Sequence, residues 1–243
     1  MPYRRLPNTD AARLKALQIA FNMGRELPPF KLAFSQNALQ KVQSFLPSFE
    51  KAINESKQAY ESQVDKNKEY IKTLKKAKLY ISHFIQVVNM AILRGELPST
   101  ERNFFNLEES EKKTPDLNTE VEVIEWGQKI IDGEEIRKAK GRSPVTNPTI
   151  AVVRVRYEQF MDAYKFQKTL QKNYHRALEK LAEMRTTADE IILQVWNEVE
   201  DHFGELEDNE RRKKSEGYGL VYVFRKGELQ NQESSSYHRI ESN

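Results

Sequence analysis

The fold is decided by the stretch Tyr70-Ile-Lys-Thr-Leu74-Lys-Lys-Ala77-Lys-Leu-Tyr-Ile81-Ser-His-Phe84-Ile-Gln-Val-Val88-Asn-Met-Ala91. Its numbered residues are apolar or aromatic and recur at alternating steps of four and three. This spacing of 3.5 residues places them on one stripe of an α-helix, here called the seam. The same phase extends back to Leu39, and thirteen of the sixteen seam positions are apolar or aromatic. The sequence therefore predicts one long helix over residues 36–93.

A second stretch, over residues 150–202, repeats the pattern with twelve of sixteen seam positions apolar or aromatic, and predicts a helix over residues 149–203. At 1.5 Å per residue, each helix would be roughly 80 Å long. A chain that leaves the first helix can enter the second near the same end, which favours antiparallel packing. We therefore predict an all-α fold, an elongated antiparallel helical bundle or coiled coil, with a small C-terminal β-strand or hairpin.

The two long helices look like copies of each other. Their seam positions match at a constant shift of 111 residues, and the shorter helices predicted before them match at a shift of 109. We expect two duplicated short-long helix hairpins within one structural domain. The expected segments are a first helical repeat (1–97), a linker (98–117), a second repeat (118–206), a C-terminal strand or hairpin (207–230) and a disordered tail (231–243).

Local signals predict where these helices begin and end. Thr9 and Ser35 are suitable N-cap residues, and Asn147 is expected to cap the second long helix, with a proline at its first position. Gly24 and Gly133, which correspond at the shift of 109, are expected to end the two short helices. Pro47 lies inside the first long pattern and predicts either a kink or a break there.

The segment Tyr218–Arg225 alternates in a way that predicts a β-strand, with a turn at Lys226-Gly227 that would allow a hairpin. Tyr218, Leu220, Tyr222 and Phe224 would line one face, and the other face is apolar as well. Such a strand needs cover on both faces and partners for its backbone. We predict that these four residues form an interface with a second copy or another protein, with docking inside the monomer as the alternative.

Composition excludes several classes of chemistry. The chain of 243 residues has no cysteine, which removes disulfides, thiolate metal sites and thiol nucleophiles. The P-loop, the dinucleotide-binding glycine motif and the serine-hydrolase elbow do not occur. No apolar stretch is long enough to span a bilayer, and no secretory signal is evident. We expect a cytoplasmic protein that is not an enzyme, needs no cofactor and has no membrane partner.

The net charge of +3 conceals blocks of opposite sign, +8 over residues 1–100 and −7 over residues 101–135. Such blocks suit internal pairing as well as a polyanionic partner. A solvated coiled-coil face also accounts for basic runs, and nucleic-acid binding is the less favoured interpretation. The candidate nucleic-acid contacts are Lys66, Lys68, Lys72, Lys75, Lys76, Arg211, Arg212, Lys213 and Lys214.

Polar residues interrupt both seams near their middles, at Ser56, Gln63, Asn67, Gln167 and Gln171. Buried polar layers commonly fix the register of paired helices, and this is the simpler interpretation. A polar cavity that binds a metal or a small ligand is the alternative. The Glu-x-x-His pairs typical of di-iron bundles are missing, so we assign no metal ligands.

The opening Met1-Pro-Tyr-Arg-Arg-Leu-Pro-Asn-Thr-Asp10, the helical body and the segment Tyr218-Gly-Leu-Val-Tyr222 resemble uncharacterised helical proteins of Bacteroidota bacteria. The resemblance carries no motif of known chemistry and transfers no functional residue. From the residues themselves, the favoured function is a non-enzymatic interaction or scaffold protein, with a protein partner or a homodimer. Nucleic-acid binding and metal or small-ligand binding are the two alternatives.

Overall fold

The computed structural model describes residues 2–110 and 113–225, which form two compact units. Unit 1 contains the described residues of Met1–Gln58 and His175–Asn243, and unit 2 those of Ala59–Tyr174. The boundary between the units lies within both long helices. Each unit therefore contains the beginning of one long helix and the end of the other, together with shorter helices. The predicted Lys226-Gly227 turn and the tail over 231–243 lie outside the described residues.

The chain is dominated by α-helices, as the seam pattern predicts. The α-helices are α1 (Asp10–Glu26), α2 (Gln36–Leu93), α3 (Glu120–Ala139), α4 (Ile150–His202) and α5 (Asp208–Glu216). Two short strands, β1 (Tyr3–Arg4) and β2 (Tyr222–Val223), form a two-stranded antiparallel sheet. The all-α class and the two long helices are confirmed, with the bounds of α2 as predicted.

Contacts within each unit show that α2 and α4 run antiparallel. In unit 1, Lys41 donates to Gln194 at 2.8 Å, and Lys180 donates to Glu55 at 2.8 Å. In unit 2, the ring of Tyr60 lies 5.5 Å from that of Tyr174, and Tyr70 lies 6.2 Å from Phe160. Residue numbers rise along one helix as they fall along the other, which confirms the predicted antiparallel pairing.

The core of unit 1 joins α1, the first part of α2 and the last part of α4. Seam residues of both long helices meet there, including Val42, Phe49 and Val199, each fully buried. Trp196 lies beside the α4 seam and is 1% exposed. The side chain of Thr9 accepts a hydrogen bond from the backbone of Ala12, so the predicted N-cap of α1 is confirmed.

The core of unit 2 joins α3 with the last part of α2 and the first part of α4. Its fully buried residues include Ile81, Phe84, Ile130 and Phe160. A 3₁₀ helix, Ser99–Phe105, also packs into this core and buries Phe105. Part of the segment predicted as a linker over 98–117 is therefore a packed element of unit 2.

Three predicted helix boundaries are wrong. Gly24 and Gly133 lie inside α1 and α3, not at their ends. At each glycine a Cβ atom would overlap a neighbour, 2.2 Å from Leu39 Cδ1 and 2.3 Å from the carbonyl oxygen of Phe104. Close packing therefore explains both glycines. Asn147 is not the N-cap of α4, because Thr149 supplies the carbonyl that accepts from Val152 and Val153.

Pro47 lies within a continuous α2, so the helix is not divided there. Its neighbours Leu46 and Phe49 remain in the core of unit 1. The predicted cap at Ser35 is confirmed, since its hydroxyl accepts from the backbone N–H of Ala38 at 3.2 Å.

The C-terminal strand is shorter than predicted. Only Tyr222–Val223 of the predicted Tyr218–Arg225 is strand, and its partner is β1 near the N-terminus, a pairing that the sequence analysis missed. Gly219 adopts a φ of +87°, which turns the chain before β2. Tyr218 and Leu220 consequently belong to a turn whose side chains enter the core of unit 1.

Candidate functional site

A groove of about 880 Å³ lies in unit 2 between the second part of α2 and the first part of α4. Its volume is within the range of ligand sites in proteins. We call it the basic groove. Its lining residues on α2 are Lys66, Lys68, Glu69, Tyr70, Lys72, Thr73 and Lys76, and on α4 they are Arg156, Gln159, Asp162, Ala163, Phe166 and Gln167.

Four of the five lysines predicted on α2 as nucleic-acid contacts line this groove. Lys75 does not line it, although it neighbours Lys76 in the sequence. The helical period alone does not separate Lys75, which is three residues from Lys72 and seven from Lys68, so its position outside the lining is known only from the structure. The structure thus separates one lysine of the run from the other four.

The groove carries an excess of positive charge. Five cationic side chains line it, those of four lysines and Arg156, against the two carboxylates of Glu69 and Asp162. In the part of the chain that the structure describes, none of the four lysines lies within 4.0 Å of a carboxylate oxygen. Five converging cations against two carboxylates leave a net positive potential that attracts anions.

Tyr70 forms part of the groove wall and stays neutral. Its hydroxyl donates a hydrogen bond to Glu120, and its ring packs against Phe160. Burial, together with the neighbouring Glu120 carboxylate, raises the pKa of the Tyr70 phenol far above its usual range. Glu120 is in turn 3.3 Å from the Lys168 ammonium, so its charge is balanced outside the lysine cluster of the groove.

Arg156 is held over the ring of Tyr80, with 5.6 Å between the guanidinium carbon and the ring centroid. One of its terminal nitrogens donates to Gln159 at 3.0 Å. Its Nε atom is buried without a hydrogen-bond partner in the described structure. The guanidinium is therefore positioned by an aromatic face and an amide, not by a carboxylate, and keeps its charge available to a ligand.

Two adjacent residues of α4 complete the groove. Phe166 is 51% exposed, an unusual position for a phenylalanine, and Gln167 is 4% exposed. The Gln167 amide nitrogen makes only a long hydrogen bond of 3.5 Å to Asn67, and its carbonyl oxygen is buried without a donor among the described residues. A buried polar atom that lacks a partner is uncommon and calls for an explanation.

Arg156 and Phe166 were not predicted from the sequence as groove residues. Gln167 was identified only as part of a polar layer in the seam. One feature of the sequence could have indicated Phe166. It is an aromatic residue that lies off the seam of α4, whereas most other large apolar residues of this helix lie on the seam. That signal becomes meaningful only when the register of α4 against α2 is known.

The other predicted basic run, Arg211 to Lys214, belongs to α5 in unit 1. There Arg211 lies 2.7 Å from the carboxylate of Asp208, and Lys214 lies 3.0 Å from that of Glu210. Arg212 donates to Asn209 at 2.7 Å. These side chains are mostly engaged by residues of their own helix, which is typical of a solvated helical face.

The predicted interface residues are divided between core and surface. Tyr218 is 6% exposed and Leu220 is 3% exposed, both within the core of unit 1, whereas Tyr222 and Phe224 are half-buried. The hydroxyl of Tyr218 accepts from the backbone N–H of Ala33 at 3.3 Å. The first two residues thus dock inside the chain, and association through this region stays a prediction.

The described residues contain no group of three or more histidine, aspartate or glutamate side chains placed to hold a metal ion. Among the polar seam residues, Ser56 is buried in unit 1, while Gln63 and Gln167 contribute unpaired buried oxygens in unit 2. None of the helices in the described ranges has an apolar stretch that could cross a membrane.

Comparison with protein-family models, with curated proteins and with solved structures gave no match to this chain. The resemblance to helical proteins of Bacteroidota therefore stays a prediction.

Proposed function

We propose that this protein is a non-enzymatic interaction protein whose partner is a nucleic acid, bound through its phosphates in the basic groove. The observation that carries the proposal is the convergence of four lysines and Arg156 on one groove, where the lysines have no carboxylate partner among the residues that the structure describes. A scaffold role through a protein partner or a second copy stays a prediction.

Lysines elsewhere in the chain include several that pair with a nearby carboxylate. Lys129 pairs with Glu125 at 2.6 Å, and Lys180 pairs with Glu55 at 2.8 Å, as expected for solvated helical faces. Within residues 2–110 and 113–225, the four groove lysines have no such partners. Like charges placed close together on a helix are slightly destabilising, so an unpaired cluster favours a role in binding an external anion.

The spacing of the cations fits a repeating anion. Lys66 and Lys76 are ten residues apart on α2, which corresponds to about 15 Å along the helix axis. Arg156 faces them from α4. An array of this length can contact about three or four successive phosphates, whereas a single small anion would use only one or two of the cations.

Fluorescence anisotropy with a labelled twelve-nucleotide DNA strand tests the proposal. Neutralising three or four phosphates of a single strand releases counterions, so log K should fall with log salt at a slope of about −2 to −3. Binding that is absent at low salt, or that does not respond to salt, would overturn the proposal.

Two charge reversals at neighbouring positions provide the matched control. Lys76→Glu places a carboxylate in the groove, whereas Lys75→Glu makes the same change of net charge one residue away, outside the lining. We expect Lys76→Glu to weaken binding about tenfold or more and to lower the salt slope by about one. Lys75→Glu should change affinity by about twofold. Equal losses in both variants would mean that net charge, not the groove, governs binding.

A further inference from the structure

We infer that the basic groove selects single-stranded nucleic acid, with one unpaired base stacked on the ring of Phe166. This inference rests on the proposed function and specifies the ligand of the same site. The inference describes how the protein contacts the bases of the ligand, whereas the lysines contact only its phosphates.

The first feature that supports base stacking is the exposure of Phe166. Its ring is 51% exposed although it lies among charged and polar groove residues. A half-exposed ring gains only part of the stabilisation of burial, about 25 cal/mol for each Å² of apolar surface removed from water, and keeps a face free to contact a ligand. An exposed aromatic ring within a cationic groove is the combination that single-strand-binding proteins use.

The second feature that supports stacking is the position of Phe166 relative to the cations. Lys66, Lys72 and Lys76 come from α2, whereas Phe166 comes from α4 on the other side of the groove. A strand whose phosphates follow the lysines could therefore turn a base toward α4. A duplex cannot do this without opening, because its base faces are already stacked on one another.

The third feature is the side-chain amide of Gln167, which lies next to Phe166 in the sequence. Its carbonyl oxygen has no donor among the described residues, and its amide nitrogen makes a hydrogen bond of only 3.5 Å. Rotation of this weakly held amide toward the groove would offer a carbonyl to the N–H groups on the edge of the stacked base. Since bases of every kind carry such donors, this contact would hold a base without selecting a sequence.

The test compares three ligands on the full chain: a twelve-residue oligothymidine, the same backbone with abasic sites throughout, and a twelve-base-pair duplex. We expect the oligothymidine to bind about 5- to 100-fold more tightly than the abasic strand, the range that stacking of a base on an aromatic ring provides. The duplex should bind more weakly than the single strand at equal salt.

Variants at Phe166 test whether its ring is the surface on which the base stacks. Phe166→Ala should lower oligothymidine affinity to that of the abasic strand and leave abasic binding unchanged, whereas Phe166→Trp should retain affinity. Tryptophan fluorescence of Phe166→Trp, above the background of Trp126 and Trp196, should be quenched by oligothymidine and not by the abasic strand. Phe30→Ala removes another exposed ring, 81% exposed in unit 1, and should have no effect.

The outcomes separate the two proposals. If no ligand binds at any salt concentration, the proposed function fails and the inference fails with it. If the abasic strand and the duplex bind as tightly as oligothymidine, or Phe166→Ala binds like the wild type, the groove still binds phosphates but the stacking inference is wrong.

Discussion

Arg137 and Glu134 form an ion pair inside unit 2, with 2.7 Å between Nε of the arginine and Oε2 of the glutamate. The two side chains are 1% and 0% exposed. A second carboxylate, that of Glu101 in the 3₁₀ helix, lies 3.0 Å from Arg137 Nη1 and is also 1% exposed. Arg137 thus connects α3 to the 3₁₀ helix below the surface of the unit.

The first prediction concerns this buried cluster. Arg137→Leu should lower the free energy of unfolding by about 3–5 kcal/mol, because it leaves Glu134 buried without its cation and Glu101 paired only with Arg142. Urea denaturation provides the measurement. Arg154→Leu, which breaks the exposed pair with Glu135, is the control and should cost less than about 1 kcal/mol. Equal losses would show that the Arg137 cluster is not buried as described.

The second prediction concerns Gly133 in α3. An alanine Cβ there would lie 2.3 Å from the carbonyl oxygen of Phe104, a backbone atom that cannot rotate away. Gly133→Ala should therefore destabilise unit 2 by about 1–3 kcal/mol through overpacking. This loss would exceed the gain of about 1 kcal/mol that alanine normally brings to a helix interior.

Gly24→Ala in α1 is the informative comparison. The closest atoms to its Cβ belong to the end of the Leu39 side chain, which can change rotamer. We expect this substitution to cost less than Gly133→Ala when both are measured by urea denaturation. A larger loss at Gly24 would mean that Leu39 is held as rigidly as the backbone at Phe104.

These glycines also show what the sequence could and could not predict. Seam periodicity depends on residues within one helix, so it gave α2 and α4 and their core residues, such as Phe49 and Phe160, correctly. Local patterns also led to the prediction that Gly24 and Gly133 end helices. A local pattern does not reveal that another element of the fold packs closely against a glycine. The pairing of β1 with β2 was missed for the same reason, since some 220 residues separate the strands.

The candidate site was predicted only in part. The lysine run on α2 was recognisable from composition, but the position of Lys75 outside the groove lining was not, because Lys75 is three residues from Lys72 and seven from Lys68 along the helix. Arg156 and Phe166 could not be assigned to the site, because they reach it from α4. Their position depends on the register between α2 and α4, which packing of the whole seam determines.

The third prediction concerns alkaline pH and the hydroxyl of Tyr222. Burial, and then the hydrogen bond that it donates to Glu200 at 2.6 Å, raise the pKa of Tyr222 to about 12, against about 10 in an unfolded chain. The neutral phenol therefore stabilises the fold fully below about pH 10, and this stabilisation is lost as the pH rises toward about 12.

Tyr222→Phe isolates this contribution. We expect the wild type to lose about 1–2 kcal/mol more than Tyr222→Phe between about pH 10 and pH 12, measured by urea denaturation across that range. Arg4 also binds Glu200, at 2.7 Å, so the sheet remains attached to α4 in the variant. Identical pH profiles would show that the Tyr222 hydroxyl is not protected in the folded chain.

The last prediction concerns Tyr218, which the sequence placed in an interface and the structure places in the core of unit 1. Its ring packs edge-on against Phe34, with centroids 6.1 Å apart, and lies 6.0 Å from Phe203. Tyr218→Ala should therefore destabilise the protein by about 3–5 kcal/mol, as removal of a buried aromatic ring does. Tyr218→Phe keeps the ring but leaves the Ala33 N–H unpaired, and should cost about 1–3 kcal/mol.

The control for Tyr218 is Val221→Ala, at a 50% exposed position nearby, which should cost no more than about 0.5 kcal/mol. Light scattering on the same samples adds the test of assembly: if Tyr218→Ala changes the molar mass and leaves the free energy of unfolding intact, Tyr218 contacts a second chain and not its own core.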